Sequence, residues 1–309
     1  MIAALGIDTS NYTTSAAVCR EDGTGLNAGK LLTVKPGELG LRQSDALFQH
    51  VKALPERFHE LKEAGMLEDI AAVGASTQPR AVEGSYMPCF LAGASQGQVL
   101  ADTLGVPFYA FSHQQGHVAA ACWASHNMAL LDKPLLCWHL SGGTTELLLV
   151  VPEGSNVRCA RIGGTSDISA GQLIDRTGQL LSLNFPAGKT LDKISQYSDR
   201  KDFFRVRLNG LEFSLSGMEN KVKDMVADHR LPSDIARFAL LTIASTVERT
   251  TQAARRKYPG LPVMVSGGVA SNSLLREKLN GCIFAPAAYS TDNAMGTAVL
   301  TLRRLQRGN

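Results

Sequence analysis

Much of what this chain lacks bears on its class. Six cysteines, at positions 19, 89, 122, 137, 159 and 282, are scattered through 309 residues, and no two form a CxxC pair. They read as reduced, mostly buried thiols rather than as a disulfide framework or a paired-thiol motif. No apolar run reaches the ~18 residues of a membrane span, and no basic segment precedes the first strand-like run at residues 2–7. The expected location is therefore the cytoplasm, with no membrane partner. Low-complexity segments and charged tails are missing too. The excess of positive charge is only +3, which neither identifies nor excludes a nucleic-acid binder. Basic residues do gather at Arg200, Lys201, Arg205 and Arg207, and again at Arg255, Arg256 and Lys257, but such groups are ordinarily solvated surface.

What is present describes a globular chain. Hydrophobic residues make up 44% and charged residues 19%, which excludes a disordered polymer. The length suits one large or two medium domains. Short elements alternate as α/β architecture requires. Residues 2–7 and 14–19 read as strands joined by a polar turn at 8–13, and residues 135–140 and 146–151 as two more joined by 141–145. Each half thus opens with an apolar strand, a small-residue turn and an apolar strand, a pattern that two unrelated hairpins would also give. Helices are expected at 44–64 (adjusted at Pro55), 95–104, 235–258, 272–279 and 292–307, and strands at 70–76, 106–111, 262–266 and 283–285. The expected domains are residues 1–107 and 108–309, with the final helix, 292–307, packing back on the first.

The sharpest chemical signal lies in residues 108–121, FYAFSHQQGHVAAA. His113 and His117 are four residues apart where a strand gives way to a helix. Four residues is about one helical turn, so both imidazoles project from one face and form half of a metal site. Positions 114–116 are Gln, Gln and Gly, so the glutamate base of HExxH peptide hydrolysis is missing. Asp292, in YSTDNA, has two readings. Either it or Thr291 caps the last helix, or it is the third ligand of a two-histidine, one-carboxylate centre with open positions.

Two glycine loops add a second kind of chemistry. SGGTT at 141–145 separates two apolar runs, and SGGVASN at 266–272 runs into a helix. Paired glycines let a backbone approach a phosphate, with amides and small hydroxyls as donors, although Gly-Gly also makes ordinary hairpins. Amides at a helix start favour anions. Asn272 either caps that helix or holds a nucleoside or acyl group. Asp175, on an expected helix, and Asp192, just after Gly188, either bind ribose hydroxyls or a metal, or pair with Arg176 and Lys193 at the surface. His50, His59, His126, His139 and His229 read mostly as structural or solvent-facing.

Taken in order, LGIDTS (5–10), HQQGH (113–117), LSGG (140–143), AGQLID (170–175), FSLSG (213–217), GGVASN (267–272) and TDNA (291–294) resemble one family nearly end to end. It is the tRNA N6-adenosine threonylcarbamoyltransferase family, once taken for O-sialoglycoprotein endopeptidases. Each segment alone is a weak motif; seven in this order are a strong signal. The resemblance implies an α/β fold of two duplicated ribonuclease-H-like domains, of the sugar-kinase/heat-shock-ATPase/actin type, with a nucleotide in the cleft. It implies one divalent metal ion, iron or zinc, on His113, His117 and Asp292. It implies ATP, ADP or an acyl-adenylate on His139, Leu140, Ser141, Gly142, Gly143, Asp175, Gly188 and Asn272. The implied reaction carries a threonylcarbamoyl or related carbamoyl group from the adenylate to N6 of adenosine 37 in tRNA, and no residue is assigned as catalytic. The implied partners are tRNA and companion proteins of the threonylcarbamoyl-transfer complex, or a homologous paralogue.

The departures cluster around the implied nucleotide and acyl site. The family's N-terminal turn carries acidic residues, but here it is Asn11-Tyr12-Thr13-Thr14, with Tyr12 in place of a carboxylate. Thr144 replaces a histidine, Thr77-Gln78-Pro79-Arg80 replaces a Gly-Pro-Gly loop, Ile168 replaces one of two aspartates and leaves Asp167, and Ala187 replaces a glycine. The implied metal ligands are intact. The chain therefore reads as a divergent paralogue, with a non-catalytic nucleotide-binding protein that assembles with a true transferase as the alternative.

Overall fold

Burial carries the first strand further than its apolar run. In the computed structural model, which describes residues 1–10, 12–34 and 41–308, β1 (Ala3–Ser10) continues through Asp8, Thr9 and Ser10, all buried. The sequence pattern puts a turn there. Asp8 and Thr9 tolerate burial because they are hydrogen bonded: Thr9 Oγ1 donates to the Cys89 carbonyl at 3.0 Å, and an Asp8 carboxylate oxygen accepts from Ser10 N at 3.0 Å. β1 pairs antiparallel with β2 (Thr13–Arg20), which pairs antiparallel with β3 (Gly25–Leu31). The sequence pattern misses β3, a half-exposed edge strand broken by Gly, Asn and Lys. After α1 (Gln43–Glu63), the chain forms β4 (Ile70–Gln78), α2 (Phe90–Leu104), β5 (Phe108–Ser112) and α3 (His113–Ala124). β4 lies parallel to β1, and β5 parallel to β4. The sheet order is β3-β2-β1-β4-β5.

A second set of elements follows the same plan. β6 (Leu135–Leu140), β7 (Thr145–Glu153) and β8 (Asn156–Thr165) precede α4 (Ala170–Leu180), α5 (Gly188–Ser195), the short β9 (Leu208–Asn209) and β10 (Glu212–Phe213), α6 (Ser216–Ala227) and α7 (Pro232–Lys257). Then come β11 (Val263–Ser266), a 3-10 turn (Gly268–Ser271), α8 (Ser273–Lys278) and β12 (Ile283–Phe284). Within the sheet order β12-β11-β6-β7-β8-β10-β9, the run β8-β7-β6-β11-β12 repeats the first sheet's order. Again the first two strands are antiparallel and the last two lie parallel to the first. All six residues of β6 are buried, as befits a central strand covered on both faces. Its Trp138 is fully buried and donates from Nε1 to Thr251 Oγ1 of α7 at 2.8 Å.

Contacts divide the chain into two units. One comprises Met1–Lys133, Val151–Cys159 and the segment from Asp292 onward; the other comprises Pro134–Val150 and Ala160–Thr291. The division falls after Lys133, later than the expected 107/108, because β5 joins the first sheet and α3 packs on α9 (Met295–Arg307). Helix α9 also lies against β1 and β4, and glycines make this approach possible. A Cβ at Gly6 would collide with the Ala298 backbone, one at Gly74 with Thr301, and one at Gly296 with the Gly116 carbonyl. Arg303 and Arg307 fasten the helix's far end by donating to Asp132, at 2.8 and 2.6 Å.

Candidate functional site

The histidine pair is positioned by the start of α3. Ser112 caps the helix: its hydroxyl accepts from Gln115 N at 3.3 Å while Gln115 Oε1 accepts from Ser112 N at 2.8 Å. This reciprocal capping box uses Gln in the position where Glu is commoner. Gln115 Nε2 also donates to the Val157 carbonyl at 2.7 Å, so this glutamine of HQQGH is spent on structure. The loop that replaces Gly-Pro-Gly abuts the same turn, with Gln114 N donating to the Pro79 carbonyl at 3.0 Å.

Asp292 does not cap the last helix. That helix starts at Met295, with Ala294 at its cap position, and Asn293 Oδ1 accepts from Met295 N at 3.1 Å. The Asp292 carboxylate is left to face the histidines instead. His113 Nε2 lies 2.9 Å from His117 Nε2, and Asp292 Oδ1 lies 3.5 and 3.3 Å from them. Those three edges (2.9, 3.5 and 3.3 Å) give a circumscribed radius of about 1.9 Å, just inside the ~2.0–2.2 Å bonds that imidazole and carboxylate make to zinc-sized divalent ions. The donor set, two neutral-capable imidazoles and one carboxylate, therefore fits such an ion and leaves further coordination positions open. Among the described residues, no other cluster of three such groups was found.

A residue that the sequence reading leaves in a turn completes this centre. Asp8, only 1% exposed, accepts from His113 Nδ1 at 2.8 Å. Burial opposes the charge on His113, but the Asp8 and Asp292 carboxylates on either side outweigh it and push its pKa up to about 10. Burial likewise opposes the charges on Asp8 and Asp292; the facing imidazoles prevail and hold both below the ordinary carboxylate range, Asp292 well below. The two flanking carboxylates thus favour the charged form of His113. The signal in the sequence was the DTS tripeptide ending the first strand, but only the tertiary fold brings it to His113.

The second unit gathers the loop candidates. In the 141–145 hairpin, Ser141 N donates to the Thr144 carbonyl at 2.8 Å and Thr144 N to Ser141 Oγ at 3.1 Å. Gly142 and Gly143 are exposed, and a Cβ at either would meet nothing within 4 Å. The hairpin rests on the start of α4: Ser169 Oγ donates to the Gly142 carbonyl at 2.6 Å, and a Cβ at Gly171 would lie 2.5 Å from Gly142 Cα. Gly267, at φ +97°, presses against the Leu140 carbonyl, where no side chain fits. His139 is buried in β6, in register with Ser266. Asp175, on α4, accepts from Ala187 N at 2.9 Å, next to Gly188 at the start of α5, and burial raises its pKa. Asn272 caps α8 by accepting from Leu275 N at 3.0 Å, and its Nδ2 donates to Asp192 Oδ1 at 2.8 Å. Thus Leu140–Gly143 meets Gly171 and Gly267, Asp175 meets the Gly188 turn, and Asn272 meets α5.

Comparison with known proteins now decides the lineage. A family model for tRNA N6-adenosine threonylcarbamoyltransferase matches residues 40–299. A curated relative of that name from Thermus thermophilus is 31% identical over 315 residues, covering 98% of this chain and 93% of the relative. The chain belongs to the tRNA N6-adenosine threonylcarbamoyltransferase family.

Solved structures agree on the fold alone. Component A of the (R)-2-hydroxyglutaryl-CoA dehydratase of Acidaminococcus fermentans superposes with a TM-score of 0.58 at 16% identity, covering 99% of this chain and 100% of that one. A ROK-family glucokinase from Streptomyces griseus gives 0.53 at 12% identity, covering 97% and 99%. The duplicated sheet order and these likenesses identify the ribonuclease-H-like, sugar-kinase/heat-shock-ATPase/actin type.

The family's altered positions can be located. Asn11 lies outside the described residues, and Tyr12, 39% exposed, is the turn residue just before β2. Asp167, the aspartate left beside Ile168, serves the start of α6: it accepts from Leu215 N at 2.9 Å, from Ser216 N at 3.3 Å and from the Ser214 hydroxyl. The methyl of Ala187 fills the space left open by Gly178. No helix among the described residues is long and apolar enough to cross a membrane.

Proposed function

We propose that this protein transfers a threonylcarbamoyl or related carbamoyl group from an acyl-adenylate to N6 of adenosine 37 in tRNA, with a divalent ion, iron or zinc, on His113, His117 and Asp292. The observation that carries the reading is the triangle of donor atoms, with edges of 2.9, 3.3 and 3.5 Å, in a chain of this family. Bound there, the ion supplies Lewis acidity and a fixed anchor for an oxygen ligand. His139, Leu140, Ser141, Gly142, Gly143, Asp175, Gly188 and Asn272 hold the nucleotide, with the hairpin backbone toward phosphate. In the transfer, the adenine amine attacks the carbamoyl carbon, that carbon's bond to the phosphate oxygen breaks, AMP leaves and the amine loses a proton. Hairpin amides stabilise the charge that develops. Exposed Arg205 and Arg207 suit tRNA phosphates, and the cytoplasm suits the substrate.

Protein incubated with threonylcarbamoyl-adenylate, unmodified tRNA and companion proteins is expected to yield modified adenosine above a His113→Ala control. Equal yields would overturn the reading. For the hairpin, Gly142→Ala is expected to leave stability within about 0.5 kcal/mol. It should weaken nucleotide binding roughly tenfold, about 1.4 kcal/mol, because the methyl intrudes where phosphate approaches. Calorimetric titration with ADP and a melting curve separate the two effects.

A second reading, a nucleotide-binding paralogue that assembles with a true transferase, is favoured by Tyr12 in the turn where the family carries carboxylates. It predicts nucleotide binding, no transfer in the same assay, and co-purification with a second family member.

A further inference from the structure

We propose that Asp8 is a positioning residue that fixes the tautomer of His113, holding the proton on Nδ1 so that the Nε2 lone pair faces His117 and Asp292. The inference rests on the metal reading above. It is carried by geometry: Asp8 Oδ2 meets His113 Nδ1 at 2.8 Å, on the opposite side of the ring from the Nε2 atom that lies 2.9 Å from His117 Nε2.

A carboxylate can only accept, so the hydrogen in that contact belongs to the imidazole. With Nδ1 committed, Nε2 is the ligand atom. The carboxylate also makes the ring a stronger donor to a cation, which is how outer carboxylates tune histidine ligands. Asp8 is itself held. Ser10 N donates to its other oxygen at 3.0 Å, and the Ser76 side chain helps to favour its charged form. Ser76 Oγ in turn lies 3.1 Å from Thr297 Oγ1 of α9, the helix that Asp292 precedes. One network thus fixes the His113 ring from behind and ties it to the helix that follows the third ligand. Charge agrees: Asp8 and Asp292 together balance one dication in a setting where an unbalanced charge is costly.

The test uses the full chain loaded with Zn(II) or Co(II). Asp8→Asn, nearly isosteric but uncharged, is expected to weaken Zn(II) binding by about 10–100-fold in chelator competition and to alter the visible spectrum of the Co(II) form. In zinc-loaded wild-type protein, nitrogen-15 NMR is expected to show a slowly exchanging His113 Nδ1 proton and a metal-bound Nε2. A purely structural Asp8 would move the melting temperature and neither of these signatures. Wild-type protein that binds no stoichiometric metal would overturn the metal reading itself. Wild-type metal binding with Asp8→Asn equally tight, or with the proton on Nε2, overturns only the role of Asp8. The wild-type NMR result stands alone if Asp8→Asn fails to fold.

Discussion

His113→Ala is expected to weaken metal binding about 100-fold and to destabilise even the metal-free protein, whereas His117→Ala should mainly do the first. Each change removes one of three donors. Taking a quarter of the ~10–16 kcal/mol of a four-ligand zinc site, one donor contributes about 3 kcal/mol, or roughly 10²-fold in affinity. The two histidines differ in what lies behind them. His113 is clasped by buried Asp8 at 2.8 Å, so its removal strands a carboxylate that is 1% exposed. Breaking such a buried pair by deleting one partner costs ~3–5 kcal/mol, and the hydrogen bond from Ser10 N keeps the loss near the lower figure. His117→Ala leaves Asp292 its contact with His113 at 3.5 Å and should cost about 1–2 kcal/mol, typical of trimming a packed side chain. Chelator competition measures the shared loss, and urea unfolding of the metal-free proteins measures the difference. Equal destabilisation by both would remove the ion-pair account of His113.

Where the sequence was readable, it was readable for physical reasons. The histidine pair announces itself because a four-residue spacing on a helix needs no tertiary information. The duplicated strand-turn-strand openings show as apolar runs, and so both sheets could be anticipated. β3 and β8 could not, since strands of mixed polarity lack a continuous apolar signature. Asp292 looked like a helix cap because the last helix was read three residues too early. Ala294, at the cap position, contributes no side-chain acceptor there, so the local rule for caps pointed to the wrong residue. Asp8 was hidden for the opposite reason. A polar triplet after an apolar run reads as a turn; pairing with β2 keeps it in the strand, and its burial is satisfied by partners 80 and 105 residues away, Cys89 for Thr9 and His113 for Asp8. Asn272 shows how far a local reading reaches: its capping role was legible, while its bond to Asp192 depends on the packing of α5.

Gly296→Ala should damage both the fold and the proposed metal centre, although residue 296 is not one of its donors. Its Cβ would collide with the Gly116 carbonyl and lie 2.8 Å from Ala120 N, both backbone atoms of α3. A backbone atom cannot swing aside as a side-chain tip does, so the helices must separate. Overpacking of this kind costs ~1–3 kcal/mol and more when the obstacle is rigid; at about 3 kcal/mol the melting temperature falls by roughly 5–10 °C. The separation acts on the centre directly, because α3 carries His113 and His117 while Asp292 stands just ahead of α9. Metal bonds tolerate only about ±0.2 Å, so a shift of even half an ångström should weaken binding more than tenfold. Gly217→Ala is the control. Gly217 is also helical, but its Cβ meets nothing within 4 Å, and replacing a helical glycine there should stabilise by up to ~1 kcal/mol. If Gly296→Ala melts like wild type, or melts lower while keeping its metal affinity, then the close approach of α3 and α9 is not what brings Asp292 to the histidines. The expected result, joint loss of stability and affinity at 296 with neither lost at 217, ties the ligand geometry to a contact between two glycines, one of which lies inside the HQQGH segment itself.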